Sequence, residues 1–252
     1  MPIMFVGHGS PMNAIEDNEF SRAWIAMGKT LPRPKAIICI SAHWETTGTQ
    51  ITAMDKPRTI YDFYGFPPEL YEMVYPAPGS PELVRRVQDL IGVDMVSSNL
   101  SWGLDHGTWS VLARMFPKAD VPVIQLSLDV TKNAQAHYDL GRNLQPLRDE
   151  GILIIGSGNI VHNLRLVVFD ETAFDWAVEF DRKVMQWILD DDHGPIIQYD
   201  KQGREAALSI NSAEHYKPLL YVLGAKYSGE PITFFAEKVW GGSISMRSVK
   251  IG

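Results

Sequence analysis

Seven histidines are spread over the chain, and five of them stand where an apolar run ends or glycines bend the backbone. His8 lies in Val6-Gly7-His8-Gly9-Ser10, His43 in Ile40-Ser41-Ala42-His43-Trp44, and His162 just past Gly156-Ser157-Gly158-Asn159. His106 sits in Trp102-Gly103-Leu104-Asp105-His106-Gly107-Thr108-Trp109, and His215 lies beside Glu214. A neutral imidazole is a good ligand for Zn or Fe(II), and it is the side chain best suited to proton transfer near neutral pH. Two such rings with a third N or O ligand can hold a divalent ion and leave coordination sites open for substrate. A further ring left unligated can serve as base. None of the spacings is an HxxxH or CxxC motif, and each histidine taken singly reads as well as a packed or surface residue. His137, in a polar helix, and His193, in the acidic turn Asp190-Asp191-Asp192-His193-Gly194, read as solvent-facing.

The elements that must bring these residues together are short apolar runs alternating with amphipathic stretches. Ile3 to Val6, Ala36 to Ile40, Val121 to Leu126 and Ile152 to Ile155 read as buried strands, rich in Ile and Val with turn residues nearby. Helices are predicted over Glu16 to Leu31, Pro81 to Ile91 (with Ser80 as N-cap), Thr131 to Leu147 and Phe174 to Leu189. A further helix over Ser212 to Leu223 opens like a capping box and carries His215 in its first turn, and Ile232 to Ile251 has the look of strands. The alternation predicts an α/β single domain over 1–252: a central, largely parallel or mixed sheet flanked by helices on both faces. In a parallel sheet the ends at 8, 43 and 162 share one rim, where such sheets place ligands. Residues 55 to 80, rich in Pro, Tyr and Phe, read as a lid, part of a binding site or a packed irregular segment.

Competing chemistry is weaker. Gly156-Ser157-Gly158-Asn159 matches neither a Walker pattern nor GxGxxG, and Ser157 lacks the GxSxG elbow of a hydrolase nucleophile. The glycines read more simply as a tight turn. Cys39, the one cysteine, reads as a small buried hydrophobe that cannot form an internal disulfide, which predicts a reducing, cytoplasmic setting. Trp44 and Trp109 read as core or as walls of an aromatic pocket. With 45% hydrophobic and 21% charged residues, the composition is that of a folded globular protein. A net charge of −7 with no long basic run argues against nucleic acid or a membrane as partner.

Taken in order, several stretches resemble the class III extradiol ring-cleavage dioxygenases of the LigB type, in the DOPA 4,5-dioxygenase branch with its bacterial relatives. They are Gly7-His8-Gly9-Ser10-Pro11-Met12, Ser41-Ala42-His43-Trp44, Tyr75-Pro76-Ala77-Pro78-Gly79 and Trp102 to Trp109. Gly156-Ser157-Gly158-Asn159, Val161-His162-Asn163-Leu164-Arg165 and Glu214-His215-Tyr216 complete the set.

The resemblance implies a single catalytic domain that opens a small, L-DOPA-like catechol by 4,5-cleavage with O₂ at a non-haem Fe(II) site. By position, His8 and His43 match two metal ligands. His215 takes the place of a glutamate ligand found in relatives, with Glu214 adjacent, a departure from the two-His-one-carboxylate pattern. His162 resembles the general acid/base, or a fourth ligand in a zinc-filled resting state, and His106 a residue that hydrogen-bonds substrate or bound oxygen. Fe(II) is expected for activity, with Zn able to fill the same site. Two alternatives stand beside this reading: a zinc-dependent hydrolase on the same scaffold, and a non-catalytic binding protein that keeps the fold. Arg58 and Arg165 are candidate partners for a substrate carboxylate. A homo-oligomer is left open.

Overall fold

The apolar runs alternate their side chains between two cores. Ile3 and Phe5, Ile38 and Ile40, and Ile152 and Ile154 face one core; Met4 and Val6, Ile37 and Cys39, and Leu153 and Ile155 face the other. A strand buried on both faces belongs in the middle of a layered α/β sheet. A computed structural model of residues 1–252 shows this arrangement.

The strands are β1 (Ile3–Gly7), β2 (Ala36–Thr46), β3 (Thr49–Thr52), β4 (Val96–Asn99), β5 (Val123–Asp129), β6 (Ile152–Gly158), β7 (Ile232–Phe235), β8 (Val239–Trp240), β9 (Ile244–Ser245) and β10 (Ser248–Ile251). Eight of them form one mixed sheet in the order β4-β3-β5-β2-β6-β1-β10-β7, and β8 and β9 pair separately. The central four, β5-β2-β6-β1, are mutually parallel, whereas β10 and β7 are added antiparallel at one side.

The helices are α1 (Glu19–Thr30), α2 (Pro68–Glu72), α3 (Pro81–Ile91), α4 (His106–Met115), α5 (Ala134–Leu144), α6 (Asp175–Leu189), α7 (His193–Ile197), α8 (Arg204–Ser209) and α9 (Lys217–Gly224). α1 and α4 cover one face of the sheet through Trp24, Trp109 and Leu112, and α3, α5, α6 and α9 contribute to the opposite core. α3 has the predicted bounds because Ser80 caps it and Pro81 opens it. No helix is long and apolar enough to cross a membrane.

One predicted helix is corrected. The chain does not enter a helix at Ser212; residues 212–216 form turns, and α9 begins only at Lys217. His215 therefore lies before the helix, where its carbonyl accepts the N–H of Asn159 at 2.9 Å.

Candidate metal centre and active site

The parallel strands put three of the histidines on one rim. His8 follows β1 directly, and its N–H donates to the Gly158 carbonyl at 3.0 Å. His43 lies within β2, where the register with β5 slips: Ile40 pairs with Leu126 but Glu45 with Leu128. Residues 41–44 stand opposite Ser127 alone, so this stretch bulges at the rim and carries His43 with it. His162 follows β6 and is tied down through its N–H to the Ser209 carbonyl, at 2.9 Å. His215 is drawn against the end of β6 because Gly158 has no side chain. A Cβ there would collide with the His215 carbonyl oxygen, and one on Gly156 with the Pro218 carbonyl. The φ of neither glycine is positive, so close approach, and not the tight turn expected from sequence, is what requires them.

One ring nitrogen from each of His8, His43 and His215 converges, all within 4.8 Å of one another. The opposite nitrogens are occupied. His8 Nδ1 bonds Ser157 Oγ at 2.9 Å, and that hydroxyl spends its own proton on the Gly107 carbonyl at 2.5 Å. Ser157 must therefore accept, which places the His8 proton on Nδ1 and leaves Nε2 bare. His215 Nδ1 meets Asn159 Oδ1 at 3.2 Å, and the Asn159 amide is oriented by donating Nδ2 to the Ser245 carbonyl at 2.8 Å. His43 Nδ1 faces the Asp62 carboxylate at 3.4 Å. Its Nε2 stands 3.0 Å from His8 Nε2. Two bare lone pairs so close repel each other unless a proton or a cation lies between them. Three neutral imidazoles, each oriented through its far nitrogen, form a donor set that fits a divalent transition ion.

Electrostatics keep these rings neutral. Burial, then the neighbouring imidazoles, push His8 and His215 far below the ordinary histidine range. Burial likewise brings His43 down to about 3. Protonation therefore does not compete with a metal near neutral pH.

The remaining predicted residues surround this set. His162 stacks on His215 with ring centroids 3.4 Å apart and planes 9° from parallel. A ring nitrogen of His162 lies within 4.8 Å of ligand atoms of Glu214 and His215. Its ring makes no side-chain hydrogen bond within the protein, and burial lowers it to about 4. Glu214 Oε1 accepts from Ser212 Oγ at 2.9 Å. His106, the first residue of α4, lies against His43 at 3.9 Å between centroids and against Phe63 at 5.5 Å.

Several readings from sequence are corrected or completed. His137 is fully buried and bonds the Tyr221 hydroxyl at 3.0 Å through Nδ1, and His193 bonds the Tyr138 hydroxyl at 2.8 Å; neither faces solvent as expected. Both lie outside the cluster. Trp44 and Trp109 are core, with Trp44 stacked on Trp102 and Trp109 beside Tyr61 and Phe63. Cys39 is buried and accepts a hydrogen bond from Thr108. Arg58 is exposed and donates to the Ser101 carbonyl, while Arg165 is exposed on the 163–166 turn.

Asp62 joins the site although no sequence motif marks it. Its carboxylate accepts both the backbone N–H and Nδ1 of His106, each at 2.9 Å, besides facing His43. The signal was a lone acid in the aromatic run Ile60-Tyr61-Asp62-Phe63-Tyr64, because a carboxylate among apolar neighbours needs a partner.

Comparison with known proteins agrees with this arrangement. Residues 2–239 match the family described as the catalytic LigB subunit of aromatic ring-opening dioxygenase. The chain is 49% identical to a 4,5-DOPA dioxygenase extradiol of Escherichia coli K12, with 100% of this chain and 95% of that protein covered. A 4,5-DOPA dioxygenase extradiol of Beta vulgaris is 39% identical over 98% of this chain and 94% of its own. The crystal structure of an uncharacterized protein from Escherichia coli K12 superposes with a TM-score of 0.87, at 46% identity and over the whole of both chains. With the family matched across nearly its whole length, the chain belongs to the LigB family, as a class III extradiol dioxygenase.

Proposed function

We propose that this dioxygenase opens a small catechol of the L-DOPA type by 4,5-cleavage, at Fe(II) held by His8, His43 and His215, with His162 as acid/base. The observation that carries it is the pairing of two features: three imidazole nitrogens that converge, and a fourth ring beside them with no side-chain hydrogen bond of its own. The names of the relatives point to L-DOPA as the first substrate to try. The family is metal-dependent; a ferrous ion would supply the redox step between catechol and O₂, which closed-shell Zn does not.

The rest is work for the side chains. Ser157 and Asn159 hold His8 and His215 in the tautomer that leaves a nitrogen bare, and the Asp62 carboxylate faces His43 Nδ1. His162, neutral at pH 7 because burial lowers it to about 4, takes the catechol hydroxyl proton on a free ring nitrogen and later returns it. His106 directs Nδ1–H to Asp62 and so offers Nε2 as acceptor to a substrate hydroxyl. Phe63, with Tyr61 and Trp109 behind it, forms an aromatic wall beside His106 that limits water. The buried lone cysteine suits a cytoplasmic setting.

Anaerobic reconstitution of metal-stripped protein with Fe(II) or Zn, followed by L-DOPA or catechol in air, tests the reading. Oxygen uptake and the yellow absorbance of a ring-opened semialdehyde are expected with Fe(II) alone. No uptake with either metal across a panel of catechols would sink it. The all-histidine donor set favours one alternative, a zinc-dependent hydrolase. That alternative predicts ester or amide hydrolysis with Zn and no oxygen uptake.

A further inference from the structure

Asp62 stands on the 55–80 segment, outside every strand and helix, yet its position is closely determined. The segment is stitched to the chain leading into α4: Leu104 N–H donates to the Arg58 carbonyl at 2.8 Å and Ile60 N–H to the Leu104 carbonyl at 2.7 Å. Trp109 Nε1, one turn into α4, donates to the Ile60 carbonyl at 2.8 Å. The carboxylate thus arrives above the first turn of α4, where the His106 N–H has no partner inside the helix, and Oδ1 accepts it. Oδ2 then faces two imidazoles, His106 Nδ1 at 2.9 Å and His43 Nδ1 at 3.4 Å. A carboxylate accepts and does not donate, so the His106 proton must sit on Nδ1, while His43 Nδ1 faces the same oxygen in a longer, electrostatic contact.

We propose that Asp62 is a positioning residue that sets the tautomer of His106 and holds His43 against the same oxygen, so that one carboxylate orients both the ring offered to the metal and the ring offered to the substrate. This rests on the reading in which His43 is a ligand and His106 a substrate contact. It adds that the two are coupled, and that the 55–80 segment takes part in the site through its one acid there. Loss of Asp62 removes the acceptor of His106 and the carboxylate facing His43 at once, whereas loss of Ser157 or Asn159 frees only one ring each.

The test uses the full chain with ¹⁵N-labelled histidine, as wild type and as Asp62→Ala and Asp62→Glu. Imidazole ¹⁵N spectra of the metal-stripped protein at neutral pH read the tautomers directly. Nδ1–H is expected for His106 in wild type, loss of that state in Asp62→Ala, and its return in Asp62→Glu. With Fe(II) restored, Asp62→Ala should show a KM for catechol raised about tenfold or more and Fe(II) affinity lowered about 10–100-fold. His8 and His215 should keep their wild-type spectra. An Nε2–H tautomer at His106 in wild type would overturn the proposal even if Asp62→Ala failed to fold, and so would an unchanged His106 tautomer in Asp62→Ala. Wild type with the expected tautomers but no ring cleavage leaves the role of Asp62 standing and removes the proposed function. Ring cleavage with the wrong tautomers does the reverse.

Discussion

Asn159 and His215 hold each other twice: the Asn159 N–H donates to the His215 carbonyl at 2.9 Å, and His215 Nδ1 meets Asn159 Oδ1 at 3.2 Å. The first bond fixes the backbone of the 212–216 turn on the end of β6, and the second fixes the ring. A residue 56 positions away in sequence is thereby placed beside His8 and His43. Removal of the amide should separate these effects. Asn159→Ala keeps the backbone bond, strands His215 Nδ1 and the Ser245 carbonyl, and should cost about 1–3 kcal/mol. Fe(II) affinity should fall about 10–100-fold. Urea unfolding of the metal-stripped protein and a metal titration measure the two. Undiminished affinity would remove Asn159 from the support of the site.

The backbone half of the same contact depends on Gly158. Its missing side chain admits the His215 carbonyl, and any Cβ must push the turn away. Gly158→Ala should destabilise by about 1–3 kcal/mol, the usual range for overpacking, and should lose bound metal as His215 withdraws. Thermal unfolding with metal analysis of the purified variant checks both. A variant with wild-type metal content would show that the turn has room the structure does not suggest.

Acid should weaken the metal-stripped protein well above the carboxylate range. His162 is lowered to about 4 and His43 to about 3, each chiefly by burial. The unfolded chain, with histidines near 6.5, then binds more protons, so stability is full above about pH 6.5 and drains as pH falls toward the native values. Each such ring contributes a slope of up to about 1.4 kcal/mol per pH unit within that window. Urea midpoints at pH 7, 6 and 5 should fall in order, and His162→Gln should flatten the dependence. Parallel profiles for the variant and wild type would contradict the burial of His162.

The central strands were readable because each is buried on both faces and leaves an uninterrupted apolar run, such as Ile37-Ile38-Cys39-Ile40. The convergence of His8 and His43 on one rim followed from parallel pairing. What stayed hidden depends on contacts remote in sequence. Ser212 resembles a cap and so predicts a helix with His215 in its first turn, yet the turn is bent back by Asn159. Asp62 gives no periodic signal, since its place comes from backbone bonds to residue 104. The partner that buries His137, Tyr221, lies 84 residues away.

His137 supplies the control for every histidine substitution. It is as buried as His8 but belongs to the contact between α5 and α9, with Nδ1 on the Tyr221 hydroxyl. His137→Ala should cost about 1–3 kcal/mol by stranding that hydroxyl, and should leave metal content and turnover at wild-type levels. His8→Ala and His43→Ala should abolish metal retention, and His162→Ala should keep metal and lose turnover. Were His137→Ala to shed metal like His8→Ala, the site would have to be redrawn.

Ser157 decides between chemistries that the same residues could otherwise serve. As a hydrolase nucleophile it would need a base to take its proton, but its hydroxyl proton goes to the Gly107 carbonyl at 2.5 Å and its oxygen accepts from His8. It is also fully buried, so no substrate carbonyl reaches it. Its part is to hold His8 with Nε2 bare. Ser157→Ala should therefore lower Fe(II) affinity about 10–100-fold through the freed His8 ring, and excess Fe(II) should restore much of the oxygen uptake. A nucleophile would behave differently: its loss would abolish turnover at any metal concentration. Oxygen uptake by Ser157→Ala, titrated with Fe(II) to saturation, distinguishes the two, and a flat zero across the titration would count against the supporting role.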